Sequence, residues 1–332
     1  MPTQREAAAA SIIQSQAGQV EASPVAAPLR VIMRVALRAW ARTGRKSGRH
    51  YRLVQKWGAR LATQPLLSRL PNGCRISCDL TEHIQRQIYF LGVFEPVESF
   101  LFTRLLKPGN VVADVGANIG QYTLLASTVV GPTGAVHSFE PIPSTYAAIV
   151  ANVERNNLTN VSANRAALWH ESGTVSLGRP QGIVGNLGSF SIGFSDLPSG
   201  VVEAPAVTLD DYAERHGIKR FDLIKMDIQG AEPFALRGAR RLLEQSRPLL
   251  LMEVERRFLA LMGSRPEAVW DDLKALGYRA WRIGLSLKTS GPQANLDGVQ
   301  FENFLFHTTD LPATITTGWE RRTPKRWACT GW

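Results

Sequence analysis

From residue 111 onward the chain alternates short apolar runs with stretches of helical period. The runs 111–115, 135–139, 161–166, 221–226 and 249–254 are of strand length, and 111–115 is apolar enough for a buried strand. Between them, 121–130, 144–157, 208–216 and 232–244 carry the spacing of helices that bury one face. A helix at 266–276 and strands at 278–283 and 301–306 complete the series. Strands separated by helices predict a parallel sheet covered on both sides. The last two strands have no helical pattern between them, which predicts an antiparallel pair at one edge. The stretch 172–200 is Gly- and Ser-rich and interrupts the rhythm.

Upstream the pattern is less regular. A helix is predicted over 95–106, ending at Lys107-Pro108-Gly109, and a strand over 73–80 that puts Cys74 and Cys78 on one face. A C-x3-C pair without nearby histidines reads as two free thiols. Residues 30–42 are helical, with Arg30, Arg34, Arg38 and Arg42 four apart and Ile32, Met33, Ala36 and Trp40 roughly opposite. The predicted organisation is a flexible arm (1–29), a basic amphipathic helical segment (30–70), one α/β domain (71–312) and a Trp-rich tail (313–332).

Composition narrows the class. The 332 residues are 44% hydrophobic and 20% charged, which excludes a disordered or fibrous chain. No run approaches the length of a spanning helix, the N-terminus lacks a secretory pattern, and three cysteines make no disulfide framework. A cytoplasmic protein is expected. The net charge of +10 (38 basic minus 28 acidic) is concentrated between 30 and 60, which hold ten basic residues and no acid. The remainder, 28 against 28, is neutral, so no nucleic-acid partner is expected. The basic helix suits peripheral contact with an anionic membrane such as the inner-membrane surface. The competing reading is a solvated helix whose apolar side packs on the domain behind it.

Three strand ends carry candidate chemistry. The first reads Asp114-Val115-Gly116-Ala117-Asn118-Ile119-Gly120, a glycine turn entering a helix. Asn118 replaces the middle glycine of the dinucleotide fingerprint and crowds the approach of a pyrophosphate. Asp114 offers a carboxylate to an ammonium. The second ends in Glu140, 20 residues beyond Gly120, where an acid accepts ribose hydroxyls. An acid for an ammonium and an acid for a ribose suit S-adenosyl-L-methionine better than NAD. The fourth strand of the series ends in Lys225-Met226-Asp227-Ile228-Gln229-Gly230-Ala231-Glu232. Its plainer reading is a Lys225 ion pair with the other acid capping the next helix. Glu253 ends the following strand and lines the same crevice or the surface. A divalent metal held by Asp227 and Glu232 is the lesser reading, because two carboxylates leave no third ligand in view, and no metal site is expected.

At this point the chain resembles the FkbM-type S-adenosylmethionine-dependent methyltransferases. The resemblance rests on VVADVGANIGQYTLLAS (111–127), GAVHSFEPIPSTY (134–146), VTLDDY (207–212) and FDLIKMDIQGAEPFALRGA (221–239), with Phe94-Glu95-Pro96 before them. It implies a class I methyltransferase (Rossmann-like) α/β fold: a doubly wound, mostly parallel sheet with an antiparallel edge strand. It implies O-methylation of a hydroxyl on a saccharide or related metabolite. Asp114, Gly116, Asn118 and Gly120 are expected to cradle the methionine part. Glu140 takes the ribose, and Asn164 and Ala166 the adenine edge. Lys225, Asp227 and Glu232 face the reacting hydroxyl, with Asp227 first choice as base and Glu232 second. The family usually has Asp-x-Glu-Gly-x-Glu at the last motif, and this chain has Gln229 at the first Glu. If that acid deprotonates the acceptor, activity falls; if it only holds the backbone, Gln229 substitutes. The long stretch 182–205 is expected to form a substrate lid with Asn186 and Ser189 as acceptor contacts, against an ordinary β-hairpin insertion. The alternatives are an NAD-dependent oxidoreductase, which lacks a Tyr-x-x-x-Lys set, and a non-catalytic membrane- or partner-binding module that retains the fold.

Overall fold

The computed structural model describes residues 26–41, 48–61, 64–178, 191–192, 201–283 and 292–311. Helices Ala26–Ala41 and Gly48–Trp57 lead into a hairpin, β1 (Leu66–Arg69) with β2 (Arg75–Cys78), then helices His83–Leu91 and Pro96–Leu105. The hairpin spans the boundary expected at 70/71. Cys74 and Cys78 are free and buried in the cluster that holds Leu37, Val54 and Phe90 together with Leu124 and Leu125. The N-terminal helices therefore share a core with the main domain.

The main domain follows the predicted rhythm: β3 (Val111–Val115), β4 (Ala135–Phe139) and β5 (Val161–Asn164), with helices Gln121–Val130 and Pro143–Arg155 between them. A small second sheet comes next: β6 (Ala167–Leu168), β7 (Gly173–Gly178), β8 (Ser191–Ile192) and β9 (Val202–Val207), in the order β6-β9-β7-β8. The Gly- and Ser-rich stretch thus begins in strand, because β7 pairs antiparallel with β9. The chain then returns through helix Leu209–Arg215 to β10 (Leu223–Met226), β11 (Leu249–Glu255), β12 (Arg279–Ile283) and β13 (Phe301–His307). The large sheet has the order β12-β13-β11-β10-β3-β4-β5. Only β13 runs antiparallel, and it is inserted one place in from the edge, between β11 and β12. β10 is buried along its whole length because helices cover both faces of the sheet. The order reverses between β3 and β10, which opens a crevice at their C-terminal ends.

Two local features differ from the expectation. The helix predicted over 232–244 is two helices, Glu232–Arg237 and Arg240–Ser246. The step falls at Gly238, where a Cβ would lie 2.0 Å from the Trp169 carbonyl oxygen. Asp210 caps the second helix, accepting from the Arg241 and Leu242 N–H groups at 2.9 Å each. The VTLDDY run is thereby explained as scaffold.

The second difference is the polarity of helix Ala26–Ala41. Its arginines do not face solvent as a group. Arg30 donates to the Leu61 carbonyl (2.8 Å), Arg34 stacks 4.4 Å over the Tyr89 ring, and Arg38 donates to Ser68 Oγ (2.7 Å) and the Tyr89 carbonyl (3.1 Å). Ile32 and Ala36, expected on the packed side, point outward. Among the described residues, no helix is long and apolar enough to cross a membrane.

Candidate active site

A cavity of about 400 Å³ lies at the C-terminal ends of β3, β4, β10 and β11. The β3 turn sits against the β10 turn because residue 116 has no side chain: a Cβ there would lie 1.9 Å from the Asp227 carbonyl oxygen. Gly116 also has φ +77°, a conformation that costs other residues about 1–2 kcal/mol. Its role is thus to bring two turns together.

Asn118 follows in the left-handed region (φ +53°), and its N–H donates to Glu140 Oε2 at 2.8 Å. Its Oδ1 is buried without a hydrogen-bond partner, in the cavity wall. Glu140 also lines the wall and accepts from the Ile142 N–H at 3.0 Å. Burial pushes its carboxyl up to about 7, although the backbone N–H groups of Ile142 and Asn118 and the Thr145 hydroxyl oppose the shift. Ala166 and Ala167 continue the wall.

Three expected contacts do not face this cavity. Asp114 is wholly buried, because strand alternation turns it away from the wall that Val115 forms. It accepts from Thr123 Oγ1 at 2.6 Å and stands beside Lys225 in the strand register. Asp114 therefore does not line the cavity, and its Oδ1 is buried without a hydrogen-bond partner. Gly120 (φ +89°) starts the helix Gln121–Val130. Asn164 donates to the Ser138 and Ser162 carbonyls and to the Tyr212 hydroxyl at 3.0–3.1 Å, which fixes β5 against its neighbours.

The other half of the cavity is charged. Lys225 Nζ lies 3.4 Å from Asp227 Oδ2 and 4.9 Å from the Tyr122 ring centroid. Burial alone would depress Lys225. The Asp227, Asp114, Glu95 and Glu253 carboxylates outweigh it and hold the ammonium above its usual value. Gln229 bridges two acids, donating from Nε2 to Asp227 Oδ1 (2.9 Å) and to Glu253 Oε1 (3.2 Å). Burial, then repulsion from Asp227 and Glu95, drives Glu253 well above the carboxylate range. Asp227, Gln229 and Glu253 thus meet in the wall as one network. Asn186 and Ser189 lie outside the described residues.

Glu232 belongs to the scaffold. It does not line the cavity, is 3% exposed, and accepts from the Ile228 N–H at 3.0 Å, closing the turn that carries Asp227. The expected role as second base is corrected to that of a helix-start acid. Burial pushes Glu232 up to about 7. An ordinary glutamate titrates near 4.3, so between roughly pH 4.5 and 7 the folded state holds a proton that the unfolded chain has lost. This group therefore makes folding less favourable as pH rises through that window. Thermal melting of the wild type is expected to fall relative to Glu232→Gln from pH 5.5 to 8.5, within roughly the range these values set. A difference that stays constant with pH would contradict the assignment.

The residue most under-weighted by sequence reasoning is Glu95. It holds φ +48° just before helix Pro96–Leu105, accepts from the Tyr122 hydroxyl at 2.9 Å, and accepts from Asn303 of β13 at 3.3 Å. Burial, then Asp227 and Glu98, push it up to about 7. Gln121 staples the preceding residue, accepting from the Phe94 N–H (2.8 Å) and donating to its carbonyl (3.0 Å). The only signal in the sequence is the Phe94-Glu95-Pro96 triplet. Asn303 has none.

The strand order, the glycine turn after β3, the wall acid after β4 and the charged end of β10 define the class I methyltransferase fold. The chain belongs to the FkbM methyltransferase family: the Methyltransferase FkbM domain matches residues 114–280. It is similar to Methyltransferase 1 of Beauveria bassiana (strain ARSEF 2860), 27% identical over 145 residues, covering 39% of this chain and 58% of that protein. It is also similar to the 31-O-demethyl-FK506 methyltransferase FkbM of Streptomyces tacrolimicus, 27% identical over 198 residues, covering 51% and 74%. Among solved structures, Methyltransferase FkbM from Methylobacillus flagellatus KT aligns with a TM-score of 0.42 at 16% identity, covering 68% of this chain and 53% of that one. The chain thus spans little more than half of the fungal relative and of this solved structure.

Proposed function

We propose that the protein is an S-adenosylmethionine-dependent O-methyltransferase acting on a hydroxyl of a saccharide or related hydroxylated metabolite. The observation that carries this reading is Asp227, held in the cavity wall by Lys225 on one oxygen and Gln229 on the other. A relative named 31-O-demethyl-FK506 methyltransferase supports transfer to an oxygen.

The residues present fit the donor. Asn118 has an unsatisfied buried oxygen in the wall for a ligand N–H or O–H. Each Glu140 oxygen bonds one backbone N–H and retains lone-pair capacity for ribose hydroxyls. When bound, S-adenosylmethionine supplies a methyl group on a sulfonium, already activated for displacement. An acceptor hydroxyl is a poor nucleophile until its proton starts to leave, and Asp227 is placed to accept that proton. Lys225 orients Asp227 through the contact to its Oδ2. Holding the hydroxyl in line is the larger task, and it falls to the walls that Tyr122, Glu253 and Gln229 form.

Calorimetric titration tests the donor. S-adenosylmethionine and S-adenosylhomocysteine are expected to bind and NAD to give no heat, with affinity for both adenosyl ligands falling in Glu140→Ala by about 10–100-fold, the cost of a charged hydrogen-bond acceptor. Binding of NAD alone would turn the reading to an oxidoreductase. No binding at all would leave a non-catalytic module. Gln229→Glu adds a third carboxylate beside Asp227 and Glu253 and removes the bridging donor. The acid limb of the rate profile is expected to move up by about one pH unit. An unmoved limb would show that Gln229 does not control the base.

A further inference from the structure

Helix Ala26–Ala41 is packed inside out. Its inward side is Arg30, Arg34, Leu37 and Arg38, and the arginines spend their groups on the Leu61 carbonyl, the Tyr89 ring and Ser68. Its outward side is Leu29, Val31, Ile32, Val35, Ala36 and Ala39, without a charge. Leu29, Val31, Ile32 and Val35 are 50%, 54%, 65% and 63% exposed. A solvated helix shows the reverse arrangement, with apolar residues against the domain and charges in water. A contiguous uncharged face of large side chains marks an interaction surface.

The charge around that face selects the partner. Helix Gly48–Trp57, packed on the same helix His83–Leu91, exposes Leu53 (41%) and Trp57 (45%) beside Arg52 and Lys56, with Arg60 exposed just beyond. Arg42, Arg45 and Lys46 lie between the two helices in sequence, and no acid occurs from 30 to 60. An apolar stripe, a tryptophan and a one-signed basic surround are the features of a helix that lies in the plane of a lipid interface. A protein partner would need a matching acidic rim, and a second copy would place like charges together. We infer that the outward face of residues 28–39, with Leu53 and Trp57, seats the protein on an anionic lipid bilayer. The inference does not rest on the methyl-transfer reading.

Flotation of the full chain with phosphatidylcholine vesicles, with and without phosphatidylglycerol, tests it. Wild type is expected to float with the anionic vesicles, less so at high salt. Ile32→Glu/Val35→Glu is expected to lower partitioning by at least about tenfold with unchanged melting, since both positions already face out. Arg52→Glu/Lys56→Glu is expected to weaken anionic binding alone, at about fivefold for each basic group removed from the surface. Wild type that stays soluble with anionic vesicles overturns the proposal, as does a double glutamate variant that floats equally well. Light scattering that finds a wild-type dimer and a monomeric Ile32→Glu/Val35→Glu variant, without flotation, would make the face a contact between copies.

Discussion

Asp227→Asn is expected to slow methyl transfer about 10²–10⁴-fold while leaving S-adenosylhomocysteine binding unchanged. The amide keeps the size of the carboxylate but cannot take the proton of an acceptor hydroxyl. Lys225 and Gln229 would both then point donors at an uncharged group. The half of the cavity that we assign to the donor, with Asn118 and Glu140, is not touched. A single-turnover rate with bound donor, set beside the calorimetric affinity, separates the two effects. A loss of less than about threefold with intact binding would remove Asp227 from proton transfer and leave positioning as the source of the rate.

Gly116→Ala is expected to destabilise the fold by about 2–5 kcal/mol, summing a left-handed backbone cost and overpacking. The added Cβ would meet the Asp227 carbonyl oxygen at 1.9 Å, and that oxygen belongs to backbone, which cannot swing aside. Relief requires the β3 and β10 turns to separate, so catalysis should fall with stability. Chemical denaturation measures the first and the Asp227-dependent rate the second. The contrasting control is Gly217→Ala, which also has a positive φ but meets nothing within 4 Å. It should show the backbone cost alone, about 1–2 kcal/mol. Equal losses at the two positions would mean that the close approach at Gly116 contributes nothing.

The central strands β3, β10 and β11 were legible because burial on both faces leaves short apolar runs between helical stretches. β3 and β4 fall on the residues expected. Glu140 was legible for a related reason, since it ends such a strand at a set distance from the glycine turn. Asp114 and Glu232 were seen as charges near a ligand, but sequence does not tell on which side of a strand end a carboxylate emerges. One faces Thr123 and Lys225, the other the Ile228 N–H. Glu95 and Asn303 lie 208 residues apart and meet only after the sheet is assembled, so no local pattern joins them. The polarity of helix Ala26–Ala41 was misread because periodicity finds two faces without saying which is outside. Arginines that find carbonyls and a tyrosine ring can face inward. A hairpin in this stretch was only the alternative reading, because glycines stand at both ends of β7 and Pro205 falls within β9.

The late position of β13 has a consequence for synthesis. This strand fills the gap between β11 and β12, so a nascent chain that has reached only residue 283 presents the leucine-rich β11 with an open edge. Unsatisfied edges of that kind recruit other chains. Glu95, made 208 residues earlier, also waits for Asn303 before its carboxylate is fully held. Emergence of β13, rather than of the glycine turn, therefore marks the moment when the β11 edge is covered and the cavity is complete.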